Sequence, residues 1–231
     1  APLLPARRIL LQEAEEALMP QSDEVCGVLR IGCTTAYGRR VLAPLLPGFA
    51  RKHPGLRVEF VLEPVCSDLL EKQIDLAFQL GPIPDSTLVA RRISQARWHI
   101  CGAPGYLQRV GVPQVPDDLQ HHACLNFLQG SYRSEWRFGS GQPAIAATPE
   151  AVVAANDGEL LCALAVAGMG LVRLADYHTQ EAFRSGELVP VLQDYEDEAE
   201  PIYAVYASRK HLSARIRAFL EHVEERLMEQ A

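Results

Sequence analysis

Two adjacent threonines, Thr34 and Thr35, stand where an apolar run stops and an amphipathic one begins. Hydroxyls in that position cap a helix by accepting from the N–H groups of its first turn. The same N–H groups, with the positive end of the helix dipole, favour an anion or a carbonyl oxygen, so the pair suits a cap or a ligand contact. His121, His122 and Cys124 are metal-ligand types, but their spacing is tight for one tetrahedral site and no fourth ligand accompanies them. No metal is expected. Cys33, beside the threonines, could be a redox-sensing thiolate at a helix N-terminus, and a buried inert thiol is the plainer reading. Gly168-Met169-Gly170 follows a helical pattern and lacks a third glycine, so it reads as a helix end rather than a dinucleotide turn. Asp75, Asp157 and Glu63 have the chemistry of acid and base, yet nothing in the sequence brings two of them to a nucleophile. GxSxG, HExxH and phosphate-loop motifs do not occur. The residues therefore imply no catalysis and no cofactor.

The elements that must position the threonines are legible around them. Gly27 to Gly32 is a short apolar run of the kind that forms a buried parallel strand. Val41, Leu42, Leu45, Leu46 and Phe49 recur at helical spacing, and Leu56 to Val61 is a second strand. Strand, helix, strand in this length implies a parallel pair, with the turn at the carboxyl end, where open α/β sheets hold their ligands.

The rest of the chain extends this α/β pattern. Leu3 to Met19 is an amphipathic helix stopped by Pro20, and Cys66 opens one or two helical turns. Ile74 to Gln79, residues 87–94 and residues 97–102 read as strands, with Gly102, Pro104 and Gly105 punctuating the last. A second unit then holds a short helix over Gly105 to Arg109 and a strand over Ala123 to Phe127. It continues with an alternating edge at Trp136-Arg137-Phe138 and a strand over Ala151 to Ala155. Asn156 or Asp157 caps a helix over Glu159 to Ala167, followed by a strand from Leu171 and a helix over Ala175 to Phe183. The chain returns to the first unit with the strand Pro201 to Ala207 and closes on a helix over Ser213 to Met228, capped by Ser213. The crossings are expected near Cys101 and Tyr203.

Bulk properties exclude some functions. A net charge of −7 argues against a long phosphate-binding surface, and no apolar run approaches a membrane span. Six scattered cysteines without a CxxC pair, in a chain long enough to build a core, imply free thiols and a cytoplasmic protein.

Taken together, the pieces resemble the effector-binding domain of a LysR-type transcriptional regulator, over about residues 1 to 229. They are Gly27 to Gly32, Leu42-Ala43-Pro44-Leu45-Leu46, His53-Pro54-Gly55-Leu56, Ile74-Asp75-Leu76-Ala77 and Cys101-Gly102-Ala103-Pro104. Asn156-Asp157-Gly158, Ala167-Gly168-Met169-Gly170, Gly186-Glu187-Leu188-Val189 and Tyr203-Ala204-Val205-Tyr206 follow in the family's order. The resemblance implies a two-lobed periplasmic-binding-protein type II-like fold with two crossover strands and a small-molecule effector in the cleft. It implies residues 1–22 as the end of a linker helix, 23–101 with 203–231 as lobe I, and 102–202 as lobe II. A homodimer or homotetramer is implied, with DNA bound through a winged helix-turn-helix outside this chain and no membrane contact. The ligand contacts it implies are Thr34, Thr35, Tyr37, Cys66, Gln79, Cys101, Asn126, Phe127, Asn156 and Met169. Position 79 is often arginine in similar relatives, and a neutral Gln79 weakens the case for a strongly anionic effector. A transporter's solute-binding protein, a thiol-based redox sensor and an enzyme on the same scaffold are the alternatives.

Overall fold

The computed structural model describes residues 25–63, 69, 71–83, 88–128, 134–139, 145–196, 199–207 and 212–229. The helix expected over Leu3 to Met19 lies outside them, as does Cys66.

The apolar run after Val25 forms β1 (Gly27–Cys33), in which Leu29 and Ile31 are wholly buried. It lies between β2 (Leu56–Leu62) and β3 (Leu76–Leu80), parallel to both, as expected of a run apolar on both faces. The connection between β1 and β2 departs from the single helix its periodicity suggests. It comprises α1 (Thr35–Tyr37), a π-helical turn over Gly38–Leu42, a turn at 43–45, and α2 (Leu46–Lys52). Pro44 and Pro47 explain the interruption, because neither can donate the backbone hydrogen bond that would continue the helix.

The chain then forms β4 (Val89–Ala96) and β5 (Trp98–Gly102) and divides into two compact units. The first comprises residues up to Ser94 together with those from Ile202 onward, and the second runs from Gln95 to Pro201. The division thus falls at Ser94/Gln95 and Pro201/Ile202, where the sequence places it at 101/102 and 202/203. The first crossing precedes β5 because that strand, among the described residues, pairs with β10 and β11 of the second sheet.

In the first unit the sheet order is β2-β1-β3-β12-β4, with β12 (Glu200–Tyr206) antiparallel to β3. The C-terminal helix, α6 (Ala214–Met228), buries Phe219, Leu220, His222 and Val223 as a stripe. Its expected cap is present: the Ser213 hydroxyl accepts from Ile216 N–H. Phe219 meets Phe49 edge-on with ring centroids 5.0 Å apart and Phe78 at 6.3 Å, so α6 closes the core on α2 and β3. His222 reaches the carbonyl of Leu45 at 3.0 Å.

The second unit contains α3 (Pro104–Val110), a 3₁₀ turn (Pro116–His121) and β6 (Cys124–Phe127). A small ribbon of β7 (Trp136–Phe138) against β8 (Ile145–Ala147) follows, antiparallel as the alternation suggests. Next come β9 (Ala151–Ala155), α4 (Gly158–Val166), β10 (Leu171–Ala175), α5 (Asp176–Ser185), β11 (Val189–Val191) and a second 3₁₀ turn (Gln193–Tyr195). The five-stranded order is β11-β5-β10-β6-β9, and β6, β9 and β10 run parallel.

Candidate functional site

In the first unit, the carboxyl ends of β1, β2 and β3 meet at one sheet edge, and the Thr34 turn sits there. Thr34 takes the cap role: its Oγ1 accepts from Tyr37 N–H at 3.3 Å, and its carbonyl accepts from Gly38 N–H at 3.0 Å. Thr35 does not cap and is exposed. The neighbouring strand end is held close, since Glu63 N–H donates to the Cys33 carbonyl at 2.9 Å, and Glu63 in turn pairs with Lys72. Gly38 makes the tight return possible. A Cβ there would lie 3.0 Å from Cys33 Sγ and 3.1 Å from Leu62, so a larger residue would press on side chains of both strand ends.

Tyr37 belongs to the core beneath this turn. Its ring packs on Phe78 at 5.5 Å, and burial pushes the phenol pKa well above its ordinary 10.0, against the opposing pull of a hydrogen bond with Ser94. Gln79 is half-buried opposite Tyr203, and its amide donates to the Pro82 carbonyl at 3.1 Å.

Tyr37 makes the protein sensitive to alkali. The folded-state phenol holds its proton more tightly than the unfolded one, so its contribution is complete below pH 10.0 and is lost as the pH rises beyond it. The urea midpoint is expected to fall more steeply above that pH in the natural chain than in Tyr37→Phe. Parallel slopes would contradict the burial.

In the second unit the predicted contacts divide by exposure. Asn156 and Met169 are exposed, Met169 immediately after Gly168, whose φ of +76° ends α4 in the left-handed region. The cap of α4 is Asp157 rather than Asn156, with Asp157 Oδ1 accepting from Leu160 N–H at 2.9 Å. Cys101 is wholly buried opposite Val172, and burial, with Cys162 adding to it, drives its thiol pKa far up. Cys124 is pushed up to about 11 by burial. Neither has the depressed pKa that thiolate redox chemistry needs. Cys33 is wholly buried as well.

Asn126 and Phe127 are interior. The Asn126 amide donates to the Ser134 carbonyl at 2.8 Å, and its oxygen accepts from Phe127 N–H at 2.9 Å and Trp136 Nε1–H at 3.1 Å. Phe127 stands edge-on to Trp98 at 6.3 Å. Sequence reasoning missed the cation beside them. Arg173, in the middle of β10, is 5 % exposed, stacks its guanidinium over Trp98 at 4.4 Å and donates to the Glu135 carbonyl. A lone arginine inside Leu171-Val172-Arg173-Leu174-Ala175 was the available signal. Among the described residues, no group of three His, Cys, Asp or Glu side chains could hold a metal ion, and no helix is long and apolar enough to cross a membrane.

Each unit therefore combines an exposed polar turn with a buried, hydrogen-bonded floor. Comparison with known proteins gives this arrangement its context. Residues 22–228 match the LysR substrate binding domain. An uncharacterised HTH-type transcriptional regulator of Haemophilus influenzae is 32 % identical over 206 residues, covering 89 % of this chain and 72 % of that protein. The HTH-type transcriptional regulator CrgA of Neisseria meningitidis is 31 % identical over 227 residues, covering 96 % of this chain and 75 % of CrgA. The solved CrgA regulatory domain superposes with a TM-score of 0.80 at 30 % identity, covering 88 % of this chain and all of that one. The longer CrgA structure gives 0.81 over 96 % of this chain and 76 % of that one. The fold is thus periplasmic-binding-protein type II-like, and the chain belongs to the LysR substrate binding domain family, the effector-binding part of LysR-type transcriptional regulators.

Proposed function

We propose that this chain senses a small-molecule effector through the turn that follows β1. The observation that carries the reading is the pairing of Thr34, which fixes the turn by capping it, with Thr35, which presents an uncommitted role beside it at an exposed position. The turn heads eight consecutive helical residues, 35–42, whose positive end favours a carbonyl or carboxylate oxygen. Gln79 in the first unit and Asn156 and Met169 in the second are the further proposed contacts. Tyr37, Cys101, Asn126 and Phe127 shape the floor from behind. Cys66 is proposed on the family resemblance alone. A neutral Gln79 and a Glu63 already matched by Lys72 favour an effector without strong negative charge.

The effector acts by binding two states of the regulator unequally; tenfold discrimination corresponds to about 1.4 kcal/mol, within the range of one or two hydrogen bonds. We assign the regulator to the cytoplasm as a homodimer or homotetramer. DNA contact is assigned to a winged helix-turn-helix separate from residues 22–228, in keeping with the net charge of −7.

A thermal-shift screen of small metabolites, followed by calorimetry with the best hit, tests the site. Thr35→Ala is expected to weaken binding about tenfold with an unchanged melting temperature. Thr34→Ala is expected also to cost about 1 kcal/mol of stability through loss of the cap. Undiminished affinity in Thr35→Ala would remove the turn from the site.

A further inference from the structure

Residues 95–99 carry the chain out of the first unit, and residues 200–202 bring it back. Two consecutive side chains of the outgoing segment are bonded to two carboxylates of the returning one. Trp98 Nε1–H donates to Glu200 Oε2 at 2.9 Å, and His99 Nδ1 lies 2.6 Å from Glu196 Oε1. Successive side chains of a strand point to opposite faces, so the returning segment grips the start of β5 from both sides.

Both partners of this grip are themselves fixed. The Trp98 ring lies under the Arg173 guanidinium at 4.4 Å and stands edge-on to Phe127, and His99 stands edge-on to Phe183 at 5.6 Å. The adjoining residue is fastened by its backbone: Asp176 N–H donates to the Arg97 carbonyl at 2.8 Å, while Arg97 N–H donates to the Asp176 carboxylate at 3.1 Å. On the returning side, Leu192 is buried in the left-handed region at φ 56°, strained for a leucine and held there by its surroundings.

We infer that Glu196 and Glu200 form a two-point clasp that locks the returning crossover onto the outgoing one. The clasp is a conformational device: it makes the two crossings move together, and its opening loosens the start of β12. It joins β12 directly to Trp98, hence to Arg173 and the Phe127 end of β6. The device is independent of where an effector binds, and its test uses the ligand-free protein.

Amide hydrogen exchange over residues 200–206 gives the measurement. Trp98→Phe keeps a ring beneath Arg173 and removes the N–H, whereas Glu200→Ala removes the acceptor. Each is expected to speed exchange about tenfold, and the double variant no further than either alone, because both break one link. Glu200→Gln retains an oxygen able to accept from the indole and is expected to exchange at nearly the native rate. Glu196→Ala, at the half-buried second link, is expected to speed exchange several-fold. Should Trp98→Phe fail to fold, the Glu196 and Glu200 variants decide the matter. Native exchange in both Glu200→Ala and Glu196→Ala, or single effects that multiply in the double variant, overturns the clasp.

Discussion

Gly170→Ala is expected to leave the chain unable to fold its second unit. A Cβ at Gly170 would lie 2.3 Å from the carbonyl oxygen of Ala123 and 2.9 Å from its carbon. That oxygen is fixed, since it accepts from Leu171 N–H at 2.8 Å where β10 begins beside β6. Side chains can rotate away from a clash, but a backbone carbonyl held in a ladder cannot move without tearing the ladder. The cost should exceed about 4 kcal/mol, a large share of an ordinary domain's stability. Two glycines serve as controls. Gly168 has open space around its missing Cβ but a φ of +76°, so alanine there should cost about 1 kcal/mol through conformation alone. Gly105, in the first turn of α3 with nothing within 4 Å, should accept alanine with no loss. Urea unfolding followed by circular dichroism ranks the three. A folded Gly170→Ala chain with a midpoint near that of the natural protein would show that the approach to Ala123 is looser than the structure has it.

Asn126→Ala carries the second large effect. The substitution removes three buried hydrogen bonds at once, those to the Ser134 carbonyl, Phe127 N–H and Trp136 Nε1–H. Losing a buried hydrogen bond costs about 1–3 kcal/mol, so a total of about 3–5 kcal/mol is expected after partial relaxation. Trp136 is fully buried, and its fluorescence should report the lost partner while the chain is still folded. Asn126→Asp separates the parts of the network: the oxygen remains, but the donor to Ser134 is gone and a charge is buried, so it should be as damaging as alanine. A loss below about 1 kcal/mol in both variants would mean that Asn126 is available for another task, such as direct effector contact.

These two residues also mark the limits of what the sequence discloses. Local signals were easy to read. The apolar run of β1, the stripe on α6, the Ser213 cap and the Gly168 helix end each depend on neighbours within one or two turns. The family pattern supplied the order of the larger pieces. The interruption of the helix after Thr35 was present in Pro44 and Pro47, but helical spacing of the leucines masked it.

Contacts between distant segments were not legible. The resemblance implied Asn126 as a ligand contact, and nothing local shows that Trp136 will arrive beside it. The lone Arg173 gave no hint of Trp98, 75 positions earlier, beneath its guanidinium. The first crossing was displaced to Cys101 because β5 reads as one more strand of the same series. Only its pairing with β10 and β11 assigns it to the other sheet.

The discontinuity of the first unit bears on biosynthesis. Its sheet places β12 between β3 and β4, and its core closes on Phe219, so both come from residues 200 onward. The second unit is a single uninterrupted stretch. On the ribosome, where residues emerge at about 5–20 per second, the unit that starts later can be finished first. The nascent N-terminal half must wait, with one flank of β3 open and Phe49 and Phe78 uncovered, for the tail that completes it. A stop codon between Pro201 and Phe219 would therefore spare the second unit and leave the first without the ring that closes its core.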